Sequence, residues 1–290
     1  MGFFNRQEAK WKARMVMRNA YPHPMLVTLV YLLLTAGITS AVMFFISDPF
    51  ELAYRYMMSG QYETLDVIRY VFTARRTGLY ALVQLLLTLY GWIIKFGYTS
   101  YSLRLARGEQ PNYRNLLDGF AVMGKVLAVG FFMSLFISLW SMLAVIPYAI
   151  LFVAAIVTES AALLALALLA LFAAVAVVVI VTLRYQLAEY FLLDNPDMGP
   201  LEAIRHSKEA MKGWKGSAFL LELSFLGWAL LSPFTFGILT LWLVPYQSAS
   251  FANFYDHVVH GSFGPRTDEP GQPGGYNSNY GGGPRNSSSF

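Results

Sequence analysis

The chain has 290 residues, of which 56% are hydrophobic and only 13% charged, and its mean hydropathy is +0.47. A soluble domain carries about 25% charged residues, so water is the wrong solvent for most of this chain. Cysteine is absent and the formal charge of +4 is scattered between hydrophobic segments, which excludes disulfides, thiolate nucleophiles and cysteine-ligated metals, and argues against a nucleic-acid partner.

Residues 1–20 form a basic N-terminal segment, with Arg6, Lys10, Lys12, Arg14 and Arg18 against the single acid Glu8. Read as a helix, it interleaves Phe3, Phe4, Trp11, Met15 and Met17 with those charges, so it either lies on the membrane surface or stays a solvated tail. No cleavable leader is expected, because polar and charged residues precede the first apolar run. A transmembrane helical domain is predicted over residues 21–260. A hydrocarbon layer about 30 Å thick takes roughly 20 apolar residues per crossing, at about 1.5 Å each.

The first such run is 25–46, entered through Pro22 and Pro24. In the connector that follows, Asp48, Glu51, Glu63 and Asp66 balance Arg55, Arg69, Arg75 and Arg76, with apolar residues enough for one or two interfacial helices. The second span is predicted over 79–103, the third over 120–152 with an interruption at Pro147, and the fourth over 161–191 after a turn at Glu159 and Ser160. Residues 194–216 are the most polar internal stretch. There Pro200 suits a first helical position, Glu202 a positive first turn and Gly213 a terminator. Leu201, Ile204 and Met211 share one face of that helix, and Glu202/His206 and Arg205/Glu209 have i, i+4 spacing, so it is expected to lie flat at the interface.

Residues 217–255 are long enough for two helices and are broken at Ser232, Pro233 and Gly237, giving a hairpin of spans five and six. The tail, residues 261–290, is rich in Gly, Pro, Asn and Ser and is expected to be disordered. The fold class is all-α: a polytopic bundle of about six spans with Pro-broken helices and interfacial amphipathic helices. Lys and Arg counts beside the spans put both termini in the cytoplasm.

Ionisable groups at membrane depth are costly and so become functional candidates. Lys95 lies well inside the second span, where it either snorkels to the headgroups or meets a buried partner or ligand. Arg184 and Glu189 end the fourth span and Glu222 begins the fifth; an approach of Glu222 to Lys95 or Arg184 would build a ligand or ion site at the inner leaflet. Asp194, Asn195 and Asp197 read as an Asx-type turn and helix cap, or alternatively as a divalent-cation or headgroup site. His257 and His260 beside Asp256 have only weakly ligand-like spacing. Gly91, Gly97, Gly119, Gly124 and Gly130 are expected to permit close helix contacts. No phosphate loop, nucleophile elbow or zinc-peptidase motif is present, so no catalytic residue, metal or cofactor is expected.

The segments Leu193-Asp194-Asn195-Pro196-Asp197, Glu202-Ala203-Ile204, Ser207 and Met211-Lys212-Gly213 resemble the DUF975 family of bacterial integral membrane proteins. The likeness continues through Leu223-Ser224-Phe225, Gly227-Trp228, Thr235, Gly237-Ile238, Trp242, Pro245-Tyr246 and Phe254-Tyr255, and upstream in Arg104-Leu105-Ala106-Arg107-Gly108-Glu109. It covers residues from about 80 to 257 and departs after Pro147, where extra apolar residues run to about Leu183. The resemblance implies a six-helix fold and a bacterial cytoplasmic-membrane location, and no established activity. The expected role is a non-enzymatic organising or accessory module whose partners are the lipid bilayer and another membrane protein. The alternative is a carrier or binder of a small amphiphilic ligand or lipid.

Overall fold

The computed structural model describes residues 4–47 and 74–261. The interfacial helices expected between the first two spans and the tail after Gly261 lie outside the described residues. Among the described residues the chain is helical, without strands. In chain order, α1 is Arg6–Asn19, α2 Pro24–Leu32, a π turn Leu33–Gly37, α3 Ile38–Ser47, α4 Ala74–Ala106, a 3-10 turn Tyr113–Leu117 and α5 Asp118–Ala121. There follow α6 Met123–Val157, α7 Ala161–Tyr185, α8 Ala188–Asp194, α9 Pro200–Ala210, α10 Lys215–Leu231, a 3-10 turn Pro233–Thr235 and α11 Thr240–His260.

Among the described residues, four stretches are long and apolar enough to cross a membrane: Pro24–Ile46, Gly78–Ala106, Met123–Val157 and Ala161–Asp194. The last two form a hairpin, α6 against α7, turned at Glu159, which takes a positive φ of 51°. Its helix boundaries differ from the expected ones. Although a proline ring deletes one backbone donor, α6 passes through Pro147 and continues to Val157, so the extra apolar residues after Pro147 lengthen the hairpin. Pro245 likewise sits inside α11, and Pro233 begins the 3-10 turn between α10 and α11. The fourth span splits at Gln186, between α7 and α8.

The buried core occupies one end of the molecule. It collects α1, Val27, the C-terminal half of α4 from Ile93 to Ala106, Leu116, the first turns of α6, the end of α7, most of α8, the inner face of α9, Ala218, Leu221 and Phe225 of α10, and the second half of α11. Beyond that packed end, the hairpin turns Leu139, Met142, Leu143, Ile150, Val153, Leu169 and Phe172 outward, and α2, the π turn and α3 expose Leu29, Leu33 and Phe45. An apolar surface of this extent is matched to lipid rather than to water, which is compatible with a multi-pass membrane protein.

Two close approaches fix the packed end. A Cβ on Gly97 would fall 2.0 Å from the Leu116 carbonyl oxygen, and one on Gly119 2.2 Å from that of Ile93, so the 113–121 segment lies directly on the α4 backbone. Gly130 gives Trp92 its place, with a Cβ 2.6 Å from the ring, whereas Gly91 and Gly124 have open space and serve no such contact.

The N-terminal helix is not a solvated tail but packs against the rest of the chain. Ala9, Ala13 and Met17 form a buried stripe against α11, where the Asn253 side-chain amide donates to the Ala9 carbonyl at 3.0 Å. Small residues at i and i+4 let the two backbones approach. Asn5 caps α1, accepting from the Gln7 and Glu8 amides, and Phe4 packs edge-on against Phe254.

Candidate functional site

The most densely bonded group of charges lies where three segments meet at the packed end. The end of α4 is a Schellman cap: Gly108 takes φ 79°, its amide donates to the Leu105 carbonyl, and the Glu109 amide donates to that of Arg104. The cap turns the chain and leaves Arg107 directed into the protein. Its guanidinium donates to both carboxylate oxygens of Asp194, at 2.6 and 2.8 Å, and to those of Asp256, at 2.7, 3.2 and 3.3 Å. Asp194 is the last residue of α8, and Asp256 lies on α11. The Tyr255 hydroxyl donates to Asp194 at 2.9 Å. Only 13%, 12% and 6% of the Arg107, Asp194 and Asp256 side chains are exposed.

One guanidinium against two carboxylates leaves a net charge of −1. His260, one turn beyond Asp256, stands at the rim, 3.3 Å from Asp256 and 3.9 Å from Asp194. Burial works against the Arg107 charge, but its hydrogen bonds and attraction to Asp194 and Asp256 outweigh it, and its pKa is raised. Asp194, Asp256 and His260 bring one ligand atom each within 4.8 Å of one another, a spacing that suits a cation. The fork of Arg107 already fills that space, so a metal ion would have to displace a bidentate cation from both carboxylates. The chemistry of this group is therefore that of a clamp joining α4, α8 and α11.

The other expected site residues are placed as follows. Lys95 does not meet Glu222 or Arg184; it pairs with Glu189 at 2.7 Å, and Thr99 donates to the same carboxylate at 3.1 Å. Lys95 sits among the helices yet keeps 55% of its side-chain surface open, against 17% for Glu189. Glu222 instead accepts from the Gln186 amide, at the break between α7 and α8. Arg184 contributes its backbone carbonyl to that break, accepting from Ser207, whose oxygen in turn accepts from the Leu187 amide at 3.1 Å. Ser207 thus satisfies both sides of a helix interruption that would otherwise leave polar backbone buried.

Asp194 and Asp197 do not cap α9; Gly199 holds the cap position, and Asp197 is exposed. A turn does form there, with the Met198 amide donating to Asn195 at 3.0 Å. Pro200, Glu202 and Gly213 occupy the expected places, Gly213 with φ 83°. The helix nevertheless packs inward through Ala203, Ile204, Ser207, Ala210 and Met211 and leaves Leu201 exposed, because Ser207 is drawn to the break. Its Arg205 pairs with Glu202 at 3.8 Å, as does His206. His257 turns away from the clamp to face Phe4 and Trp214.

The family described as "Protein of unknown function (DUF975)" covers residues 1–261, from the N-terminal helix to the end of α11. No curated protein and no solved structure matches the chain.

Proposed function

Because the chain belongs to the DUF975 family, whose description assigns no function, we propose its role from its own geometry: a non-enzymatic accessory module of the bacterial cytoplasmic membrane that organises or assists other membrane components. One arrangement supports this reading. The Arg107 clamp and the Asn253–Ala9 bond gather α1, α4, α8 and α11 into one folded body whose charged groups serve each other. That body turns Arg205, Lys208 and Lys212 outward as a docking face.

The same body supports an orientation with both ends in the cytoplasm. Arg6, Lys10, Lys12, Arg14, Arg18, Arg104, Arg107, Arg114, Lys125, Arg184, Arg205, Lys208, Lys212 and Lys215 all belong to elements at or adjoining the packed end. An excess of short-loop Lys and Arg marks the cytoplasmic side. In this reading α1 and the end of α11, packed together, both face the cytoplasm, with an even number of crossings between them.

A second reading, a binder of a small amphiphile, is favoured by Lys95, whose half-open side chain pairs with Glu189 among apolar helices. The two separate in one experiment: mass spectrometry of what co-purifies in mild detergent with the tagged chain and with Lys95→Leu. The accessory module predicts a protein partner kept by Lys95→Leu and lost when Arg205, Glu209 and Lys212 are changed to Ala. A lipid or metabolite bound by the natural chain and missing from Lys95→Leu would overturn it in favour of the binder.

A further inference from the structure

The hairpin of α10 and α11 sits beside α7 but reaches much less far. Gln186 donates to Glu222, which sets the two helices at a common level. From Gln186, α7 runs about 26 residues to Ser160, about 39 Å at helical rise and enough to cross about 30 Å of hydrocarbon. From Glu222, α10 runs about 10 residues to Ser232, about 15 Å. Lys10 marks the charged level still further along, donating to the Ser224 carbonyl at 3.3 Å with its ammonium 4.0 Å from the centre of the Phe225 ring. Only about 12 Å of hairpin remains beyond that charge.

The short hairpin nevertheless ends in an apolar tip. Phe234, Phe236 and Ile238 are 82%, 97% and 70% exposed, and no charged residue or histidine occurs from Leu223 to Tyr255. The tip also satisfies its own backbone. Thr235 and Gly237 amides donate to Ser232, Phe236 to Pro233, Ile238 to Thr235, Thr240 to Gly237, Leu241 to Ile238 and Trp242 to Leu239. The Leu239 amide donates to the Thr235 hydroxyl, and the Ser232 and Thr240 hydroxyls bond to each other. In water such closure is unnecessary; in hydrocarbon an open backbone donor costs several kcal/mol.

We infer that α10 and the first turns of α11 form a re-entrant hairpin, whose tip enters the acyl chains of the leaflet on the packed-end side and returns to the same face. The chain then crosses the membrane through its four long helices, and the expected fifth and sixth spans are two arms of one insertion. Such a hairpin displaces lipid from a single leaflet. The inference deepens the membrane-module reading and rests on it.

The absence of native cysteine makes single-cysteine labelling direct. Glu159→Cys, Lys208→Cys and Phe236→Cys chains in sealed vesicles would be exposed to a membrane-impermeant maleimide from either face. Residues 159 and 208 should react from opposite faces, and residue 236 from neither until SDS is added. Bimane at position 236 should be quenched more by lipids brominated deep in the acyl chain than by lipids brominated near the headgroup. Reaction of Phe236→Cys from the Glu159 side would show a crossing hairpin and overturn the proposal; reaction from the Lys208 side, or shallow quenching, would put the tip in water and also overturn it. Labelling of 159 and 208 from one face would instead overturn the multi-pass reading itself. Phe234→Cys, similarly exposed, serves if the 236 variant does not insert.

Discussion

Replacing Arg107 by Ala removes the guanidinium from a group that contains two largely buried carboxylates. The five guanidinium contacts, all between 2.6 and 3.3 Å, vanish together. Asp194 keeps the Tyr255 hydroxyl and Asp256 keeps His260, neither of which replaces a bidentate cation. Deleting one partner of a buried ion pair costs about 3–5 kcal/mol, mostly because the remaining charge is left in a poor solvent. For a domain of this size that corresponds to a fall in Tm on the order of 10 °C. Detergent-solubilised protein carrying a fluorescent tag, heated and passed over a size-exclusion column, reads that loss directly. The triple variant Arg107→Met, Asp194→Asn, Asp256→Asn should recover much of it, since replacing a whole buried ion group by neutral residues is often close to neutral. A Tm for Arg107→Ala within about 2 °C of the natural chain would correspond to less than about 1 kcal/mol and would refute the clamp.

Three further substitutions test other joints. Ser207→Ala leaves the Leu187 amide without its acceptor in a fully buried position and should cost about 1–3 kcal/mol in the same heating assay, whereas the exposed Ser138→Ala should cost nothing measurable. Gly97→Ala drives a Cβ into the Leu116 carbonyl at 2.0 Å and should destabilise by at least about 3 kcal/mol or abolish folding. Gly91→Ala, with open space around it, should be neutral or stabilise by up to about 1 kcal/mol through helix propensity. Asn253→Ala removes the donor to Ala9 and should loosen α1, read as faster tryptic cleavage after Lys12 or Arg14 while the size-exclusion profile is kept.

The long apolar helices were legible in the sequence because hydropathy over about 20 residues is a property of composition. Pro200, Glu202 and Gly213 were legible for a similar reason: each acts through local backbone chemistry. What depends on packing between distant segments was not. The buried stripe of α1 consists of Ala9, Ala13 and Met17, which look weakly apolar among five basic residues until α11 covers them. By charge alone Arg107 is one of many basic residues beside the spans. The signal that sets it apart was present in Arg107-Gly108-Glu109, since a glycine directly after a helix marks a left-handed cap and a redirected side chain. Asp256 and His260 share a face at i, i+4, while the more obvious pair of histidines at i, i+3 is divided between the clamp and the α1 contact. Hydropathy likewise could not distinguish a crossing hairpin from an inserted one. The clue was the apolar character of the turn Pro233–Thr235 and its flanks, where a connector facing water would carry charge.

Cysteine cross-linking in native membranes tests most directly whether α1 and α11 belong to one body on one side of the bilayer. In a chain without native cysteine, Ala9→Cys with Asn253→Cys should form a disulfide rapidly on mild oxidation, because the Asn253 amide reaches the Ala9 carbonyl at 3.0 Å. Asn253→Cys paired instead with Trp11→Cys, which faces outward on α1, should remain unlinked under the same conditions. Equal reactivity of the two pairs, or no link in either, would contradict the packed N-terminal helix and with it the folded body proposed as the docking module.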